Sequence, residues 1–218
     1  MKRNPYEMNG PVSQATRPTS PKENTMNVRT LGLLTMLCAP TMLIDGFRHG
    51  MQRTLNGEND LLGNLLYMAF AVGWWCAMLG LKRLHATGRG KLGRFIVTLP
   101  LVTIFLAILQ SPLDILHFDM GSPLYMVTDL AWPLSMVLTF VVSVAVLFAR
   151  QLPLPHRLAP LFCGISLPVG FAYMAFARLQ DMPIAEFGWH TAIGWFLLGL
   201  SLVAARPREE RQTILAAA

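Results

Sequence analysis

Carboxylate and histidine side chains recur close together at the ends of long apolar segments of this sequence. Asp45 and His49 are four residues apart, and Asp114 and His117 are three residues apart. On a helix, either spacing places two side chains on one face. The sequence therefore predicts two helices that present the same carboxylate–histidine pair.

Asp129 differs from the other carboxylates because it lies inside an apolar segment, in the stretch from Tyr125 to Trp132. A carboxylate near the centre of a membrane helix costs about 2.5–3.5 kcal/mol on insertion scales. We therefore predict that Asp129 faces the interior of a helical bundle. It would act there as a site residue, or form a structural ion pair with Arg178 or Arg48.

Our leading hypothesis from these residues is an outward-facing polar pocket in a protein without enzymatic activity. Such a pocket would bind, sense or transport a small solute or ion, with Asp129 at its floor. Histidines titrate near pH 6.5, so the pocket would respond to pH. The other candidate ligand-binding residues are Asp45, Arg48, His49, Asp114, His117, Arg178 and His190.

Two alternatives use the same residues differently. Three histidines can hold Zn²⁺ and leave an open position for a water molecule that the metal acidifies. His49, His117 and His190 would then be the ligands of a membrane-embedded metal-dependent hydrolase acting on a lipid or an amide. In the second alternative the protein is a structural or accessory membrane subunit, and the polar side chains only lock helices together.

The elements that must position these side chains are membrane helices. Apolar residues make up 53% of the 218 residues and charged residues only 14%, against about 25% charged in a typical globular chain. A helix of about 20 apolar residues crosses a bilayer. We expect an all-α, polytopic bundle of six transmembrane helices with short loops, spanning about 30–48, 61–81, 95–116, 124–149, 158–177 and 187–205.

Charge is distributed unequally between the two sides of these six segments. Fifteen of the 18 Lys and Arg residues fall on one side, whereas eight of the 12 acidic residues and three of the five histidines fall on the other. The positive-inside rule then places both termini in the cytoplasm, and we expect the membrane to be a bacterial plasma membrane. Anionic lipid headgroups suffice as partners for the basic loops, and no nucleic acid is needed.

The chain ends are expected to lie outside the bundle. Residues 1–27 are polar and rich in proline, which predicts a disordered cytoplasmic tail, and Met26 is an alternative start. Residues 28–206 form the predicted transmembrane domain, and 207–218 a short cytoplasmic tail. Six spans are few for a transporter, so the chain is also a candidate for a homo-oligomer or for a complex with a partner membrane subunit.

Overall fold

The computed structural model describes residues 27–49, 60–177 and 184–205. Every regular element within these ranges is an α-helix, which confirms the all-α prediction for the described part of the chain. The predicted tails fall outside these ranges, apart from Asn27. The helices are α1 (Val28–Cys38), α2 (Thr41–Arg48), α3 (Leu61–Arg83), α4 (Lys91–Ile115), α5 (Pro123–Ala149), α6 (Leu154–Gly164), α7 (Ser166–Ala177) and α8 (Ile184–Ala204).

Most of these helices have the length and apolar character of membrane spans. Five segments meet both conditions: α1 with α2, then α3, α4, α5 and the Phe187–Ala204 part of α8. The α6–α7 pair makes a sixth if it is counted as one span, although it bends by 44°. The chain is therefore built as a multi-pass membrane protein. The span predicted over 158–177 is two helices instead, and it begins earlier, at Leu154.

Proline acts differently in the first span and in the middle spans. Pro40 lies between α1 and α2, where its missing N–H cannot continue the helix. The Thr41 hydroxyl donates to the Cys38 carbonyl over 2.9 Å and satisfies one of the acceptors at the break. Pro100 and Pro133, in contrast, lie inside the continuous helices α4 and α5. Of these three prolines, only Pro40 coincides with a helix break.

Successive spans pack side by side, and the last span returns to the first. The packed neighbours run from α1 to α3, α4, α5, α6 and α8, and α8 contacts α1 again. The helices therefore form a closed ring, as expected for antiparallel neighbours joined by short connections. In addition, α3 contacts α8 across this ring.

The ring closes through two glycines that let α1 and α8 approach each other at backbone distance. A Cβ atom added to Gly32 would lie 2.7 Å from the carbonyl oxygen of Gly199. A Cβ atom added to Gly199 would lie 2.6 Å from that of Gly32. Small residues at facing positions are a common way for membrane helices to pack closely.

Aromatic side chains fill the centre of the ring. Phe70 and Trp74 from α3 meet Trp132 from α5 and Trp195 from α8, with ring centroids 5.4 to 6.3 Å apart. The indole nitrogen of Trp74 donates to the Thr139 hydroxyl over 3.0 Å, which also ties α3 to α5. These contacts make the middle of the bundle a packed core.

Candidate functional site at the acidic end

The predicted site residues that the structure describes lie at one end of the ring. We call it the acidic end and define it as the end where α2 and α4 finish and α3, α5 and α8 begin. The opposite end is the basic end, and it carries the described basic residues Arg29, Lys82, Arg83, Arg89, Lys91, Arg94, Arg150 and Arg157. Arg178 lies outside the part of the chain that the structure describes.

Arg48 joins two carboxylates at the acidic end. Its Nη1 atom lies 3.0 Å from Oδ1 of Asp45, whose side chain is 0% exposed. Its Nη2 atom lies 2.6 Å from Oδ2 of Asp60. Arg48 therefore links the end of the first span to the start of α3, and it is not the partner of Asp129.

Asp60 serves this link and also caps α3. Its carboxylate accepts the backbone N–H of Gly63 over 2.6 Å, the usual role of an N-cap aspartate. The hydrogen bond from Arg48, followed by the one from Gly63, lowers the pKa of Asp60 from 3.8 to about 2. Both interactions favour the ionised carboxylate, so Asp60 is charged at neutral pH.

His49 lies beside Asp45, as the spacing predicted. Its Nδ1 atom is 3.6 Å from Oδ1 of Asp45 and 3.0 Å from the carbonyl oxygen of the same residue. One carboxylate–histidine pair therefore forms. It belongs to the cluster with Arg48.

Asp114 has different neighbours from those predicted. Its Oδ1 atom accepts a hydrogen bond from the Tyr125 hydroxyl over 2.8 Å and another from the Gln110 amide over 3.3 Å. The Thr128 hydroxyl in turn donates to Oε1 of Gln110. These four residues form a polar cluster between α4 and α5, which we call the Asp114 cluster.

The predicted Asp114–His117 pair on a helical face is wrong. The helix α4 ends at Ile115, and His117 lies beyond it with a φ of 50°. Its side chain is exposed, and its contact with Asp114 is through the backbone, where the His117 N–H donates to the Asp114 carbonyl over 3.1 Å. The spacing rule fails here because the helix stops between the two residues.

The prediction that Asp129 faces the interior of the bundle is also wrong. Its side chain is exposed on the outer surface of α5. No hydrogen bond or ion pair joins it to another described residue. The preceding residue, Thr128, takes the buried position on this turn of the helix.

His190 packs against a neighbouring helix. Its ring centroid lies 4.8 Å from that of Phe162 in α6. The Nε2 atom is buried without a hydrogen-bond partner in the described structure. His190 therefore helps to fasten α8 to α6.

The metal site predicted from His49, His117 and His190 does not form. All three histidines are described, yet no group of three or more His, Cys, Asp or Glu side chains in the described ranges is arranged to hold a metal ion. His117 is exposed in the connection between α4 and α5, whereas His190 packs against α6. The positions of the helices thus separate residues that share an end of the bundle.

Four contributors to these clusters were not among the predicted site residues: Asp60, Gln110, Tyr125 and Thr128. Two of them carried a usable signal. An aspartate directly before a long apolar run is typical of an N-cap, and Gln110 and Asp114 have the i, i+4 spacing of a helical pair. Tyr125 and Thr128 carried none, because their roles depend on how α5 is turned toward α4.

Comparison with known proteins gives this chain no relatives to reason from. No protein-family model, no curated protein sequence and no solved structure matches it.

Proposed function

We propose that this protein is a non-enzymatic accessory subunit of a larger membrane assembly and that α5 is the helix by which it assembles. The observation that carries this proposal is the exposed carboxylate of Asp129 on a helix of membrane length. Charged residues in membrane helices normally face a bundle interior or a water-filled cavity. Contact with another protein provides such an environment for Asp129.

The packing of the rest of the molecule supports the same proposal. The centre of the ring holds the aromatic cluster around Trp74. At the acidic end, Arg48 forms ion pairs with both Asp45 and Asp60, and Asp114 accepts a hydrogen bond from the Tyr125 hydroxyl. These polar groups pair with one another between helices of the bundle, whereas Asp129 lies on its outer surface without such a partner among the described residues.

Photo-crosslinking from two exposed apolar positions tests this proposal. A photoreactive amino acid replaces Leu130 on α5, which is 62% exposed, or Val102 on α4, which is 56% exposed. In the native membrane we expect a discrete protein adduct, heavier than the 24.2 kDa chain, from position 130 and none from position 102. The absence of an adduct at position 130, or the same adducts at both positions, contradicts the proposal.

A second candidate function, cation binding, is favoured by the Asp114 cluster. Its carboxylate lies partly buried between α4 and α5 and accepts hydrogen bonds from the neutral donors Tyr125 and Gln110. Neutral donors leave the negative charge of Asp114 uncompensated. Among the residues predicted to bind a solute or ion, Asp114 is therefore the one that this candidate function uses.

The thermal stability of the purified protein in different salts tests cation binding. Ligands that bind only the folded state raise its melting temperature. NaCl, KCl or MgCl₂ is compared with choline chloride at equal ionic strength, for the natural chain and for Asp114→Asn. We expect at least one metal cation to raise the melting temperature of the natural chain and of the control Asp119→Asn, but not that of Asp114→Asn. Equal stability in all four salts rules this candidate out.

The basic end fits a lipid surface. Arg83, Arg89, Lys91 and Arg94 lie at or near the connection between α3 and α4. Basic side chains near a membrane surface are attracted to anionic headgroups by about 1 kcal/mol each. We propose that phosphatidylserine or phosphatidylglycerol headgroups are the partners of this connection.

A further inference from the structure

Asp129 is the one carboxylate of the described spans that lacks a donor. Asp45 has Arg48, and Asp114 has Tyr125 and Gln110. Asp129 forms no hydrogen bond or ion pair with any residue in the described ranges. The spans therefore carry one negative charge that the described part of the chain does not balance.

This charge lies within the apolar belt of the protein. Asp129 is six residues beyond Pro123, which is about 9 Å along the helix axis. Exposed apolar side chains precede it on α5, at Leu124 and Val127, and others follow it, at Leu130 and Leu134. Lipid alone would leave the carboxylate poorly solvated at this position.

The same face of α5 is covered toward the basic end and uncovered at Asp129. Phe140 lies eleven residues further along, about three helical turns, and therefore on the same face. It packs against α6, where a Cβ atom added to Gly164 would lie 2.9 Å from the Cα atom of Phe140. Immediately after Gly164 the chain bends by 44° into α7.

The helix α7 packs loosely against the rest of the bundle. It has few contacts with α5, α6 or α8, and its side chains Val169, Tyr173 and Phe176 are exposed, Phe176 by 97%. These side chains are therefore not covered by the other described helices. On α5, Asp129 is the charged group among exposed apolar side chains.

Among the described residues, a second copy of this chain offers no unpaired cationic side chain at this depth. The described basic side chains of its spans lie at the basic end, at Arg29, Lys82, Arg83, Lys91 and Arg94, apart from Arg48, which is paired with Asp45 and Asp60. Two copies meeting at this face would also bring two like charges together. A different protein with a cationic side chain fits the face better.

We infer that the exposed surface of α5 around Asp129 receives a transmembrane helix of another protein, and that a Lys or Arg side chain on this helix pairs with Asp129. The inference rests on the proposed assembly function and names the chemistry of the partner. An interhelical polar contact in a membrane contributes about 1–2 kcal/mol, which corresponds to a preference on the order of fivefold to thirtyfold.

Designed transmembrane peptides serve as the probe for this inference. One peptide is a Leu- and Ala-rich helix with a single Lys placed about 9 Å from the membrane edge by its position in the sequence, and its matched control has Leu there. Each is reconstituted with the labelled full-length protein in phosphatidylcholine vesicles, and association is measured by energy transfer. We expect the Lys peptide to bind about fivefold to thirtyfold more tightly than the Leu peptide.

Variants of the protein show whether Asp129 causes this preference. We expect Asp129→Glu and the control Asp119→Asn to keep it and Asp129→Asn to lose it, with unchanged circular dichroism. Equal binding of the two peptides, or a preference that persists in Asp129→Asn, overturns the inference. An adduct at position 130 together with equal peptide binding overturns only the partner chemistry, whereas the absence of an adduct counts against assembly itself.

Discussion

Arg48 shows at the scale of single residues how this protein uses charge next to a membrane. It forms ion pairs with the fully buried Asp45 and with the exposed Asp60 at the same time, and so joins two spans. Exposed ion pairs contribute little to stability by themselves. The network gains importance from the buried Asp45, because removing one member leaves another charge unpaired.

The lowered pKa of Asp60 predicts how stability changes with pH. A carboxyl group whose pKa falls from 3.8 to about 2 on folding stabilises the protein at every pH above 3.8. This contribution declines below 3.8, because the unfolded chain takes up a proton first, and it is lost near pH 2. We expect Asp60→Asn to lower the melting temperature at pH 7 and to have no effect near pH 2.

Melting curves in detergent, recorded between pH 7 and pH 2, measure this difference. Asn is also a good N-cap residue, so the substitution removes the charge and retains the cap of α3. A difference between the natural chain and the variant that stays constant down to pH 2 contradicts the assigned ion pair.

At the scale of elements, the approach of α1 to α8 determines whether the ring closes. Gly32 faces the backbone of α8, which cannot move aside as a flexible side chain can. Gly90, the N-cap of α4, has nothing within 4 Å of an added Cβ atom. The two glycines therefore form a matched pair for the same substitution.

We expect Gly32→Ser to destabilise the protein by about 1–3 kcal/mol, the usual cost of overpacking. We expect Gly90→Ser to be neutral or slightly stabilising, because serine is a favourable N-cap residue. Reversible unfolding in mixed micelles measures both changes. Equal stability of the two variants shows that α1 and α8 do not meet at Gly32.

At the scale of the whole molecule, the separation of charge between the two ends predicts the orientation in the membrane. His85 and His117 are suitable reporters, because both are exposed and both have a φ of 50°. His85 lies at the basic end, directly after α3, and His117 lies in the connection between α4 and α5. The positive-inside rule places the connection that contains His85 in the cytoplasm.

Labelling with a membrane-impermeant maleimide tests this orientation. In intact cells we expect His117→Cys to react and His85→Cys to react only after permeabilisation. The natural cysteines Cys38, Cys76 and Cys163 lie within the helices, and the unsubstituted chain measures their background. The opposite labelling pattern reverses the orientation.

The sequence by itself determined the class of the protein and the positions of its main helices. Long apolar runs with few charges are local features, and a bilayer selects helices from them directly. The predicted starts of α3 at residue 61 and of α5 at 124 therefore agree with the structure to within one residue. The neighbouring positions of Asp45 and His49 followed in the same way from helical spacing.

Only the tertiary structure decided which way the site residues face and which of them meet. Thr128 and Asp129 are adjacent in sequence, yet the packing of α5 against α4 buries Thr128 and leaves Asp129 exposed. In the same way, Tyr125 meets Asp114 because two antiparallel helices bring them together. Hydropathy gives the depth of a residue along a helix, but the direction of its side chain depends on contacts between residues distant in the chain.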